Sequence, residues 1–332
     1  PAPIKIWISK IKVTEPARQT AIIEPRNSPH SDGRREEWLA ARAKVEEARS
    51  REHSLPMWRH SLLGFGYWVF LGLLRVTGII KLGTRNALNI KLTEIDLSFE
   101  HLPEEFDGYR LLQISDPHFD TIAGIDDAIC KIAKNVAADL CVITGDIQGR
   151  HVYQLDQPVA SVERLLPHIT APDGIFAILG NHDSLRLIPA LEKLGVTFLV
   201  NETVSLARGN SQIFITGLDD VHSYYTPAAS GVLKDTPQGF KIALVHSPGI
   251  ENEAEAAGYG LYLCGHTHGG QVALPGGHPL NLNLHDGAIR DVGAWKIGNM
   301  LGFTSRGAGV SILPVRFNAP AEITVLTLCR DR

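Results

Sequence analysis

Residues 139–146 read DLCVITGD, a run of apolar and β-branched side chains closed by a glycine and an aspartate. Such a run shows no polar alternation, the mark of a strand buried on both faces. Upstream, IDDAICKIAKNVAA (125–138) has helical spacing, and before it YRLLQISD (109–116) is a second short apolar run with a polar end. Downstream the unit recurs: SVERLLPHI (161–169) precedes GIFAILGNHD (174–183), and IPALEKLG (188–195) precedes VTFLVN (196–201). QIFITGLDD (212–220), KIALVHSP (241–248) and GLYLCGHTHGG (260–270) follow. Apolar strands alternating with helices define an α/β layered architecture. No short-period repeat links these units, which argues against a solenoid.

The chain of 332 residues is 44% hydrophobic, enough for a substantial core in one large domain or two ordinary ones. Its net charge of -4, without a long basic run, lacks the clustered Lys and Arg of a nucleic-acid footprint. Cys130, Cys141, Cys264 and Cys329 are far apart in apolar contexts, so they are expected as reduced core residues rather than a disulfide framework. Cys264 stands near His266 but lies inside a strand pattern, and is not needed as a ligand.

The amino-terminal region divides in two. Residues 1–57 comprise an arm, with a peripheral strand or two at most, and a charged, solvated helix around RREEWLAARAKVEEARSRE (34–52). Glu36 and Glu37 directly after Arg34 and Arg35 argue against a twin-arginine export signal. Residues 58–85 then carry SLLGFGYWVFLGLLRVTGIIKLG, with Trp58, Tyr67 and Trp68 among the apolar side chains and Arg59, Lys81 and Arg85 at the flanks. Residues 61–74 are uncharged but too short to span a bilayer; the window to residue 80 is just long enough, and Arg75 interrupts it. Membrane contact, lying on or crossing the bilayer, is the favoured reading. A hairpin buried in the folded domain is the competing one. The reduced-looking cysteines place the expected catalytic domain, residues 90–330, on the cytoplasmic face, with a soluble cytoplasmic protein as the alternative.

Each buried strand ends in a residue type that binds metals. The ends offer Asp116 with His118, Asp146, Asn181 with His182, His246, and His266 with His268. In α/β sheets such groups converge on loops beyond the carboxyl ends of the strands. In extended backbone, residues i and i+2 project to one side, so Asp116 and His118 are expected to face one cation, and His266 and His268 one or two. Glycines 145, 180, 265, 269 and 270 permit tight turns there. Nitrogen and oxygen donors suit Mn, Fe or Zn, and ligand type does not choose among them.

In order, DPH, GD, GNHD, H and GHTH resemble the calcineurin-like metallophosphoesterase family, over roughly residues 108–328. GGQV, SRGAG and PAEI are further similar to a bacterial, often membrane-associated, phosphodiesterase-like branch. The resemblance implies a four-layer α-β-β-α sandwich of two mixed β-sheets flanked by helices. It implies that Asp116, His118 and His268 hold one divalent ion, that Asn181, His246 and His266 hold a second, and that Asp146 bridges both. Two cations about 3.5 to 4 Å apart would lower the pKa of a bridging water, so that hydroxide attacks phosphorus in line. His182, which is not a ligand in the family pattern, is the expected catalytic group at the leaving oxygen. Asp183 is expected either to orient that ring or to cap the following helix.

Arg306, Arg150 and His222 are substrate-contact candidates; for the arginines the competing reading is a surface or structural role. The expected function is phosphodiester or pyrophosphate hydrolysis near a membrane, on a phosphoester substrate that includes lipid-linked ones. The alternatives are a soluble nucleotide phosphodiesterase, and a non-enzymatic membrane-tethered interaction protein whose metals are structural. Oligomeric state is not legible.

Overall fold

The computed structural model describes residues 22–24, 31–53, 76–149, 154–224, 227–275, 279 and 292–331. In chain order the amino-terminal elements are strand β1 (Ile22–Glu24) and helices α1 (Ser31–His53) and α2 (Ile79–Ala87). The first half of the domain follows with β2 (Lys91–Phe99), β3 (Tyr109–Ile114), α3 (Ile125–Ala133), β4 (Leu140–Thr144), α4 (Asp156–Leu165), β5 (Ile175–Ile178), α5 (Leu187–Glu192) and β6 (Thr197–Phe198). The second half has β7 (Glu202–Arg208), β8 (Ser211–Gly217), α6 (Pro227–Asp235), β9 (Phe240–Leu244), α7 (Glu251–Ala256), β10 (Leu261–Cys264), β11 (Gly293–Ile297) and β12 (Met300–Thr304). Strand β13 (Glu322–Arg330) returns to the first half.

Six strands form one sheet in the order β2-β13-β3-β4-β5-β6, and seven form the other, β1-β7-β8-β9-β10-β12-β11. Both are mixed: β3, β4, β5 and β6 run parallel while β13 pairs antiparallel with β3. In the second sheet β8, β9, β10 and β12 are parallel, with antiparallel pairs at the margins.

The period-two geometry of β4 explains its uninterrupted apolar run. Leu140 and Val142 point between the sheets, where they meet Ile215, Ile242 and Leu263. Cys141 and Ile143 point outward, under Ile129 of α3, Val162 of α4 and Leu191 of α5. The outer face of the second sheet likewise packs Ala243, Tyr262 and Cys264 against Leu233 of α6 and Ala254 of α7. Three apolar layers thus separate four structural ones, giving the expected α-β-β-α sandwich. All four cysteines are free, and Cys264 lies in this outer core against Thr304.

The amino-terminal elements join this body. β1 pairs antiparallel with the edge strand β7. Helix α2 buries Gly83 and Ala87, and the Gly83 carbonyl accepts from the Arg316 amide at 3.0 Å. The apolar segment expected at 58–85 is described only from residue 76, its remainder lying outside the described residues. Among the described residues no helix is long and apolar enough to cross a membrane.

Candidate metal centre

The candidate residues lie where the two sheets release their parallel strands. β3 leads to Asp116 and His118, β4 to Asp146 and β5 to Asn181 and His182; from the second sheet, β9 leads to His246 and β10 to His266 and His268. Main-chain bonds fix these exits against each other: Asp116 N–H donates to Gly145 O at 3.1 Å, His118 N–H to Asp146 O at 3.0 Å, and Gly265 N–H to His246 O at 2.8 Å. The His266 amide then reaches across to the Asp116 carboxylate at 3.0 Å, tying one sheet to the other.

Two donor groups result. Asp116, His118 and His268 form one and Asp146, His246 and His266 the other, with the ligand atoms of each group all within 4.8 Å of one another. Asn181 completes the second, its Oδ1 lying 3.0 Å from His246 Nε2 and 2.9 Å from His266 Nδ1. Asp146 Oδ2 stands between the groups, 3.5 Å from His118 Nε2 and 3.4 Å from His246 Nε2. The rings are aimed from behind: His118 Nδ1 donates to Gln148 O at 3.1 Å and His246 Nδ1 to Thr144 O at 2.9 Å, which turns each Nε2 lone pair inward.

Burial and neighbouring charge together set the charge state of these groups: against the pull of burial, Asp146 and Asp116 raise His246 well above the usual imidazole range when no cation is bound. Burial holds His118 down to about 3 and His266 down to about 4, so both are neutral imidazoles near neutral pH, the form that ligates. Burial also pushes Asp116 up to about 6, opposed by His246. For Asp146, burial is outweighed by His246, His182 and His118, which keep it ionised well below the usual carboxylate range. This oxygen and nitrogen donor set, with one buried carboxylate facing both groups, fits a pair of divalent cations.

The doublets converge by a different route from the one their spacing suggested. Asp116, His118, Asp146, His266 and His268 all lie at positive φ, between 42° and 69°, so neither doublet is extended. Alternation of side chains therefore does not apply, and tight left-handed turns do the aiming. Asp and His tolerate this region better than most residues, at roughly 1–2 kcal/mol each. Gly265 serves by its lack of a side chain: a methyl group there would overlap the Ser115 hydroxyl and the Asp116 carboxylate. Gly265→Ala is expected to keep the fold by circular dichroism while weakening cation binding about tenfold in calorimetric titration.

His182 is half-buried beside the centre, its ring 5.2 Å from that of His118 at 90° and its amide donating to Asp146 Oδ1 at 2.9 Å. Asp183 does not cap the following helix; its carboxylate ties two strand exits together. Its oxygens accept from Gln148 N–H at 3.0 Å and Gly180 N–H at 2.8 Å, lacing the β4 exit to the β5 exit, and α5 begins without a side-chain cap. Burial and Asp146 push this carboxyl up to about 7. Arg306 pairs with Glu322 at 3.0 Å and keeps a partly exposed side chain. His222 stacks on His266 with centroids 5.5 Å apart, its Nε2 donating to Pro248 O at 2.9 Å. Arg150 lies outside the described residues.

Sequence reasoning passed over Arg316. It is fully buried, and its guanidinium donates to the carbonyls of His268, Arg306, Gly307, Gly309 and Ala319 while Nη2 stands 3.0 Å from His268 Nδ1. It holds the last ligand turn against the 306–309 loop. Burial lowers its pKa to about 10, still cationic at neutral pH. Nothing in PVRF (314–317) distinguishes such a residue from a surface arginine.

Fold and donor groups together define a metal-dependent phosphohydrolase. The calcineurin-like phosphoesterase family description matches residues 109–270. The uncharacterized metallophosphoesterase YkuE of Bacillus subtilis is 35% identical over 250 residues, spanning 72% of this chain and 85% of that protein. The phosphodiesterase YaeI of Escherichia coli is 26% identical over 66% of this chain and 82% of its own length. A zebrafish transmembrane protein with a metallophosphoesterase domain is 25% identical over 72% of this chain and 57% of its own length. The chain belongs to the calcineurin-like phosphoesterase family.

Proposed function

We propose that the protein is a phosphodiesterase or pyrophosphatase that works at a membrane surface on a lipid-linked phosphoester. Asp116, His118 and His268 hold one divalent ion, Asn181, His246 and His266 the other, and Asp146 both; manganese is the first ion to try. The observation that carries this reading is the single Asp146 Oδ2 standing 3.4–3.5 Å from a histidine of each donor group. When bound, the cations supply Lewis acidity toward phosphoryl oxygens and an acidified water. The chain's own residues do the rest. The ligand histidines and ionised Asp146 would bind and space the ions, His182 protonates the departing oxygen, and Asp183 keeps the His182 loop in register with the β4 exit. His222, stacked on His266, and Arg306 line the approach on which the substrate lies, with Arg150 as a further phosphate contact.

Membrane action is supported by a chemical pattern. Val76 and Leu82 are 89% and 53% exposed, Lys81 and Arg85 stand beside them, and the strongly apolar residues 61–74 come just before. That the zebrafish relative is a transmembrane protein accords with it.

The test uses bis-p-nitrophenyl phosphate with added Mn²⁺. Hydrolysis is expected, with loss on chelation to less than about 1% of the loaded rate and recovery on re-addition, as several kcal/mol of charge stabilisation implies. Activity indifferent to chelator would remove the proposal. A lipid diphosphate presented in anionic vesicles should be cleaved faster than a soluble nucleotide diester; the reverse order would restrict the protein to soluble substrates.

A further inference from the structure

Helix α1 reads as a solvated helix, yet Arg42 within it is only 3% exposed. Its guanidinium donates from all three nitrogens. Nη1 donates to Asp219, Nη2 to Gly180 O at 2.9 Å and Asp183 O at 2.7 Å, and Nε to Glu46 at 3.0 Å. The plane lies 3.7 Å over the Tyr224 ring. Glu46, one turn on, accepts from the Leu185 amide at 2.9 Å and the Ser184 hydroxyl at 3.2 Å. Arg35, two turns back, pairs with Glu192 of α5 at 3.0 Å.

Those partners bracket the reacting centre. Gly180 and Asp183 stand on either side of Asn181 and His182. Asp219 and Tyr224 belong to the loop that carries His222 onto His266. From inside, the 180–183 turn is held by Asp146 and by the Asp183 carboxylate; from outside, its buried carbonyls meet Arg42. We propose that Arg42 is a positioning residue, through which helix α1 fixes the Asn181–His182 turn and the 219–224 loop relative to each other. The inference rests on the proposed function and adds to it that the catalytic unit begins in the amino-terminal helix.

Removing the guanidinium would leave Gly180 O, Asp183 O and the Asp219 carboxylate buried without this donor, so the turn must move to find water. A displacement of about 1 Å at such a turn costs roughly a hundredfold in rate. Lysine does not substitute, because one ammonium cannot reach carboxylates and carbonyls spread around a planar fork.

The full chain is compared with Arg42→Ala, Arg42→Lys and Glu46→Gln, each loaded with Mn²⁺. Parent protein is expected to give the electron paramagnetic resonance spectrum of a coupled ion pair and to hydrolyse bis-p-nitrophenyl phosphate. Arg42→Ala should show isolated Mn²⁺ as the Asn181 site empties, with kcat down about a hundredfold and KM within about threefold. Millimolar guanidinium should restore the coupled spectrum and kcat to Arg42→Ala, with no gain for parent. Arg42→Lys should stay impaired, and Glu46→Gln, which leaves the arginine in place, should lose about tenfold in kcat. Should Arg42→Ala fail to fold, the other two variants decide: parental kcat and a coupled spectrum in both overturn the inference. A parent that binds no ion pair overturns the proposed function itself.

Discussion

His182→Ala is expected to retain both cations and to lose about a thousandfold in kcat on substrates with poor leaving groups. The ring nitrogens take no part in either donor group, since Asp116, His118 and His268 make one and Asp146, His246 and His266 the other. The link of His182 to the ions runs through its main-chain amide on Asp146 Oδ1, which alanine preserves. General-acid catalysis contributes about 10²–10⁴-fold, most where the departing oxygen is basic. A p-nitrophenolate leaves without help, so its rate should fall far less than that of an alkyl or nucleoside ester. Metal content by mass spectrometry and kcat across leaving groups of graded pKa are the measurements. Equal loss of metal, or a uniform rate loss across the series, would reassign His182 to the binding of the ions.

Asp146→Asn should empty both sites together. The substitution is isosteric, and Oδ1 can still accept from the His182 amide, so the turn keeps its anchor. At the Oδ2 position an amide nitrogen would point at His118 Nε2 and His246 Nε2, 3.5 and 3.4 Å away. It would donate to the lone pairs that should face cations, and remove the charge that faces both groups. Turnover is expected to fall at least about a thousandfold, because several kcal/mol of charge stabilisation disappears at 1.36 kcal/mol per tenfold. Calorimetric titration should find both binding steps weakened. Two ions held at parental affinity with full activity would refute the shared-carboxylate assignment.

Much of this was legible from local pattern, because buried parallel strands carry their own signature. DLCVITGD becomes β4 with alternate residues in two cores, and each strand run delivers its polar end to one rim of the sandwich. The shared direction of the parallel strands then brings those ends together. What the pattern misled on was local conformation: a left-handed turn at Asp116 or His266 is only weakly marked by residue type, since Asp and His, though favoured at positive φ, are also at home at strand ends and in loops. Arg42 and Glu46 escaped notice for another reason. Hydrophobic periodicity finds faces buried by apolar contact, whereas this face of α1 is seated by charge on a loop whose carbonyls are visible only in three dimensions. Helix spacing alone offers Asp183 as a cap, whereas its carboxylate accepts from amides on two different strand exits, a pairing visible only in three dimensions.

The left-handed turns at Asp116, His118, Asp146, His266 and His268 have a bearing on the life of the molecule as well as its chemistry. A polypeptide that bends five bulky residues this way around facing carboxylates and imidazoles gives up thermodynamic margin that smoother loops would have kept. Ion capture returns that margin, since anything held only by the native form stabilises it by mass action. Protein stripped of divalent ions is therefore expected to open more often and to be cut sooner by a protease than ion-loaded protein, which would tie its lifetime to metal supply.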